Sequence, residues 1–300
     1  MTFGYLFAAA AVLCGSTKGF CGKKISAFTS TVGRAAYANL VRMLLCIAVG
    51  IVVALVSAGL TALVASPYVL LISLLSGASN AIFVISWLFA VQRGAYMLVD
   101  VFLTLGTALP ILLSYFVYGE KIGGTRVIGF FVLVGATLCL MSYSSREKQK
   151  IRPLDLLPIL LAGITHGLVG FSQKMFVHAG TTDSLATFNL YTYAFAGALL
   201  ALFFICLRAR APRSQEGISP MPPVTYLYIA VMALCLFAGS YFSTLAARHL
   251  DAVILFPLSQ GSNLILATLM ASVFFGEKIR WRLIFGLLLA FVGLLIMNLL

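Results

Sequence analysis

The sequence predicts an all-α integral membrane protein of ten transmembrane helices, arranged as two inverted five-helix repeats. Three observations carry this. Hydrophobic residues form 62% of the 300-residue chain and charged residues only 9%, too little charge to cover a soluble exterior. The chain divides into ten apolar stretches, each close to the roughly 20 residues that span a hydrocarbon core. A motif in the first half recurs at the matching place in the second.

Taken in order, the stretches cover 3–21, 35–59, 67–90, 95–118 and 125–143, then 155–175, 184–207, 224–246, 252–275 and 282–299. No Lys or Arg precedes the first run, and Leu13 is too bulky to stand before a processed Cys14. That segment reads as a retained first helix and not a signal peptide. Pro67 opens the third helix, Gly119 closes the fourth, and Pro153 and Pro158 flank the start of the sixth. Between the third and fourth, Gln92, Arg93 and Gly94 are the polar markers. Residues 144–152 join the halves, 1–150 and 151–300. A second long connection, Arg208 to Pro223, carries four prolines and is expected to be non-helical. No segment is long enough for a separate soluble domain.

The net charge of +12 would suggest nucleic acid in a soluble protein. Here the basic residues sit in short clusters between apolar stretches, so no nucleic-acid partner is expected; the pattern encodes topology instead. Lys23, Lys24, Arg34, Arg146, Lys148, Lys150, Arg152, Arg208, Arg210, Arg213, Lys278, Arg280 and Arg282 all fall on one side. Lys121, Arg126, Lys174 and Arg248 fall on the other. The expected location is the cell (cytoplasmic) membrane, multi-pass, with the basic side cytoplasmic and both termini outside. The six cysteines lie in or beside apolar stretches, with no CxxC pair and no cluster with the three histidines. They read as small buried hydrophobes, and neither a metal nor a cofactor is expected.

The repeat is carried by Tyr118-Gly119-Glu120-Lys121-Ile122 and Phe275-Gly276-Glu277-Lys278-Ile279, an offset of about 157 residues. The same offset pairs Ser86 with Ser243, Leu88 with Leu245, Ala95 with Ala252 and Gly129 with Gly286. Helices 1 and 6 share Gly19-Phe20 and Gly170-Phe171, each followed three residues later by Lys23 or Lys174. Five helices is an odd number, so the second copy enters the membrane in the opposite sense. On these motifs the whole chain resembles the drug/metabolite transporter superfamily, in its EamA-like branch. The resemblance implies a central cavity lined mainly by helices 1, 3, 4, 6, 8 and 9, and alternating access. Substrates across that superfamily include amino acids, nucleotide sugars, nucleosides, sugar phosphates and drugs.

The motif residues Gly119, Glu120, Lys121, Gly276, Glu277 and Lys278 read first as structural. Each glycine ends a helix, and each glutamate complements the dipole of the next helix or pairs with the adjacent lysine. Charges inside the membrane are functional candidates by default. Asp100 is expected to pair with Lys18 or Arg42 as a gate or binding element, against the plainer reading that both cations snorkel to the interface. His166 lies between Gly163 and Gly167, small residues that admit a neighbouring helix or a ligand. It suits proton coupling, or a hydrogen bond to another helix. Lys174 is available to an anionic group. Gln260 and Asn263 share a helical face after Pro257, and Asn80, Ser240 and Tyr241 fit the same cavity. Trp87 reads as an interfacial anchor.

These features favour a secondary transporter of a small polar metabolite or drug-like solute, acting by alternating access as a monomer or homodimer. No Walker motif supplies nucleotide binding, so coupling is expected from protons or exchange. An enzyme is not expected, because the eight acidic residues and three histidines are scattered over separate helices. A non-transporting receptor or accessory subunit, or a flippase of a lipid-linked substrate, is the alternative.

Overall fold

The computed structural model describes residues 2–26, 28–92, 102–144, 153–210, 221–275 and 281–299. Asp100, Gly276, Glu277 and Lys278 lie outside them. The described residues form ten α-helices and no strand. The helices are α1 (Thr2–Ile25), α2 (Val32–Ala58), α3 (Pro67–Gln92), α4 (Phe102–Tyr118) and α5 (Gly124–Ser144). The second half gives α6 (Pro153–His178), α7 (Leu185–Arg210), α8 (Pro223–Ala247), α9 (Ala252–Phe275) and α10 (Trp281–Leu299). Seven are long and apolar enough to cross a membrane, and Phe102–Tyr118, Gly124–Cys139 and Ile284–Met297 are shorter apolar helices. The chain is a multi-pass membrane protein.

Local chemistry explains the ends. Ser66 starts α3: its carbonyl accepts from Leu70 N at 2.9 Å and its hydroxyl from Val69 N at 3.4 Å, with Pro67 at the position where a missing N–H costs nothing. α1 continues to Ile25, past the expected end at 21, and carries Lys23 and Lys24 in its last turn, where cations complement the helix dipole. A turn at Thr107 interrupts α4. Pro110 stands three residues later, and its ring excludes the carbonyl of Gly106 four positions back.

α1 lies along α8, and α3 lies along α6; α2 faces α7, and α5 faces α10. The core joins α2, α3, α7 and α8 around Met43, Cys46, Val84, Tyr193 and Phe237. Close backbone approach sets the α4–α6 crossing. A Cβ on Gly106 would stand 2.2 Å from the Gly163 carbonyl oxygen, and one on Gly167 would stand 2.4 Å from that of Gly106. The small residues beside His166 therefore admit a helix, α4, and not a ligand.

Candidate functional site

The two ends of the bundle are built differently. At the end opposite the basic loops, α4 closes on Gly119, whose φ of 67° and ψ of 24° place it in the left-handed region that glycine enters without steric cost. Its N–H reaches the Tyr115 carbonyl at 3.1 Å, and the Glu120 N–H turns back to Ser114 O at 3.4 Å. This reversal aims Glu120 into the second half of the chain. One carboxylate oxygen accepts from Lys174 Nζ at 2.6 Å, and the other from the Ala252 N–H at 2.6 Å. Lys174 also donates to the Leu250 carbonyl at 2.7 Å. The Lys174 and Glu120 side chains are only 3% and 10% exposed.

Glu120 thus complements a helix N-terminus, as expected, but that of α9 and not of α5. Its partner is Lys174, while Lys121 points outward and exposed. The sequence-adjacent pairing fails because the left-handed glycine turns the glutamate away from its neighbour. Lys174 has found its anion inside the protein. Arg126 approaches Asp251 at 3.7 Å on the rim of the same cluster. Beneath it, Ser243 donates to Gln173 Oε1 at 2.9 Å and Ser240 to Asn189 Oδ1 at 2.7 Å, tying α6, α7 and α8 together.

At the basic end a cavity of about 250 Å³ opens between α1, α2, α3 and α8, its lining including Gly22, Asn39, Arg42, Trp87 and Met232. One expectation is corrected here: Trp87 lines this cavity, so it is a wall residue and not solely an interfacial anchor. The described lining falls on α1, α2, α3, α8 and the α1–α2 connection.

Lys18 lies one turn deeper than Gly22 on α1. It is within electrostatic reach of Arg42 and of His166. Thiols of Cys14, Cys46 and Cys235 surround it within the same reach. Neither Lys18 nor Arg42 has a carboxylate or hydrogen-bond partner among the described residues, and Arg42 Nε is buried without an acceptor. His166 faces the Phe83 ring at 5.6 Å and makes no hydrogen bond to another helix among the described residues.

The remaining candidates scatter. Asn263 accepts from Ser16 at 3.2 Å, pinning α9 to α1, and a Cβ on Gly15 would stand 2.6 Å from it. Gln260, on the same face, and Asn80 in α3 are half-buried and make no hydrogen bond among the described residues. Tyr241 packs against Phe237 and Phe242. Sequence reasoning missed Asn39 and Asn189. Asn39 stands one turn from Arg42 on α2, the one signal that could have marked it.

Residues 154–299 match the model of the EamA-like transporter family. A solved structure, titled only as the crystal structure of a protein, superposes with a TM-score of 0.79 over 100% of this chain and 97% of its own length. The two share the fold at 16% sequence identity. No curated protein matches the chain.

Proposed function

From the match of residues 154–299 to the EamA-like transporter family, we propose that the chain is a secondary transporter moving a small polar solute across the cytoplasmic membrane by alternating access. The observation that carries this is the one-sided closure: a cavity enters from the basic end, and a buried ion pair between the halves seals the other. By the distribution of Lys and Arg the open end is cytoplasmic, so this conformer faces inward.

In the same reading the first half is an inverted copy of the second. Exchanging α1 with α6, α2 with α7 and so on turns the α1–α8 contact into α6–α3, which is also present. The same exchange carries the α2–α7 and α5–α10 contacts onto themselves. Such a pairing lets one half rock against the other around a fixed centre. Glu120 and Arg126 belong to the first half, Lys174 and Asp251 to the second, so outward opening pulls these pairs apart. His166 and Asp100 are the candidate proton carriers.

Proteoliposomes loaded with a mixed metabolite extract test this. Mass spectrometry of what leaves, with and without a pH gradient, should show selective loss of one chemical class. Asp100→Asn and His166→Ala should abolish the response to the gradient if either carries the proton. Loss no faster than from protein-free vesicles, with exchange substrates supplied outside, would overturn the transporter reading in favour of a receptor or flippase.

A further inference from the structure

We infer that the solute is a compact organic anion, gripped through a carboxylate or phosphate by Arg42 with Lys18 behind it, in the cavity at the basic end. This deepens the transporter reading and depends on it for the solute to be cargo; the binding site itself stands on the geometry.

An arginine keeps its charge in any protein environment, so the cavity is cationic under all conditions in which the protein is folded. A cation inside the membrane is costly and normally carries a counter-charge. The chain meets that requirement elsewhere, since Lys174 has Glu120. For Lys18 and Arg42 no carboxylate answers among the described residues, and the two cations lie within electrostatic reach of each other. Their mutual repulsion is relieved by an anion between or beside them.

Snorkelling does not account for Arg42. Arg42 lines a cavity between four helices, and its Nε is buried without an acceptor. Carboxylate and phosphate are the ligands whose paired oxygens match the guanidinium fork. Asn39, on the same face, donates one amide proton to Ala35 O at 2.8 Å. Its carbonyl and second N–H are left for the polar remainder of the ligand. A volume of about 250 Å³ lies just below the ~300 Å³ at which small-molecule pockets begin, room for a compact metabolite. Trp87 walls one side and supplies a reporter.

The chain has two tryptophans, so Trp281→Phe in purified protein leaves Trp87 as the sole emitter. Its fluorescence is titrated with glutarate and glycerol 3-phosphate, with their neutral counterparts glutaramide and glycerol, and with 1,5-diaminopentane as the cation. The anions should give a saturable change and the others none. Arg42→Gln should weaken anion binding at least about tenfold, the scale of a lost charge-assisted contact. Arg42→Lys and Lys18→Gln should weaken it less. Size-exclusion and thermal profiles confirm that each variant is folded, and Arg42→Lys keeps the test decisive if Arg42→Gln is not.

No saturable response to either anion, equal binding of the neutral compounds, preference for the diamine, or indifference to the folded Arg42 variants would each overturn the inference. The efflux assay on the same preparations separates the two readings. Anion binding without efflux removes the transporter and leaves the site; efflux confined to neutral or cationic compounds removes the site and leaves the transporter.

Discussion

The two ends of this bundle use the same residue types to opposite effect. At the sealed end, Lys174 is matched atom for atom: a carboxylate oxygen at 2.6 Å and a carbonyl at 2.7 Å, with almost no exposure. At the basic end, Arg42 and Lys18 meet no acid among the described residues. A paired internal charge holds two helices in one arrangement, whereas an unpaired one holds nothing until a ligand arrives. The contrast teaches where this protein is rigid and where it is receptive.

The comparison is broken most forcefully by Lys174→Met. The substitution leaves Glu120 buried without its cation, which costs about 3–5 kcal/mol. The detergent-solubilised protein should show a large fall in its thermal transition. Adding Glu120→Gln should restore a good part of it, and a double-mutant cycle by chemical denaturation measures the coupling. At the other end, Arg42→Met should leave the transition unchanged or raise it, since a charge with no carboxylate partner among the described residues is exchanged for apolar volume. Equal destabilisation by both variants would erase the distinction between the ends.

Gly119→Ala sharpens the comparison at the next scale. Nothing crowds its Cβ, so the penalty is conformational alone, about 1–2 kcal/mol for a left-handed alanine. A wider loss, approaching that of Lys174→Met, would mean that the turn cannot reform and Glu120 has swung away. Arg126→Ala should do least. Its contact with Asp251 is long at 3.7 Å and exposed, worth at most about 1 kcal/mol and weakened by salt. Thermal unfolding at low and high salt checks both statements.

Most of the architecture is legible in the sequence because lipid imposes a length and a composition on every span. The breaks at Pro67, Gly119 and Pro153 lie where those residues must act. The site is less legible. Glu120 beside Lys121 suggests a local pair, and only the αL turn at Gly119 reveals that the partner is 54 positions away. A hint was present: Lys174 ends the same short pattern in helix 6 that Lys23 ends in helix 1. Trp87 near a helix end looks interfacial until the mouth between α1 and α2 is seen to open beside it. Asn39 and Arg42 are separated by one turn, so their shared face was readable, but which side of α2 faces inward was not. That depends on packing partners from the other half, which period and composition do not specify.

The buried Glu120–Lys174 pair has a thermodynamic consequence for solutes arriving at the sealed face. On the alternating-access proposal, a ligand binds from there only to the fraction of molecules in which the pair is broken, so its apparent affinity is multiplied by that fraction. Each 1.4 kcal/mol by which the pair favours the sealed conformer weakens apparent binding from that face about tenfold, with intrinsic contacts unchanged. Strengthening or weakening one ion pair would therefore retune the half-saturation concentration on one face of the membrane and leave the opposite face nearly untouched.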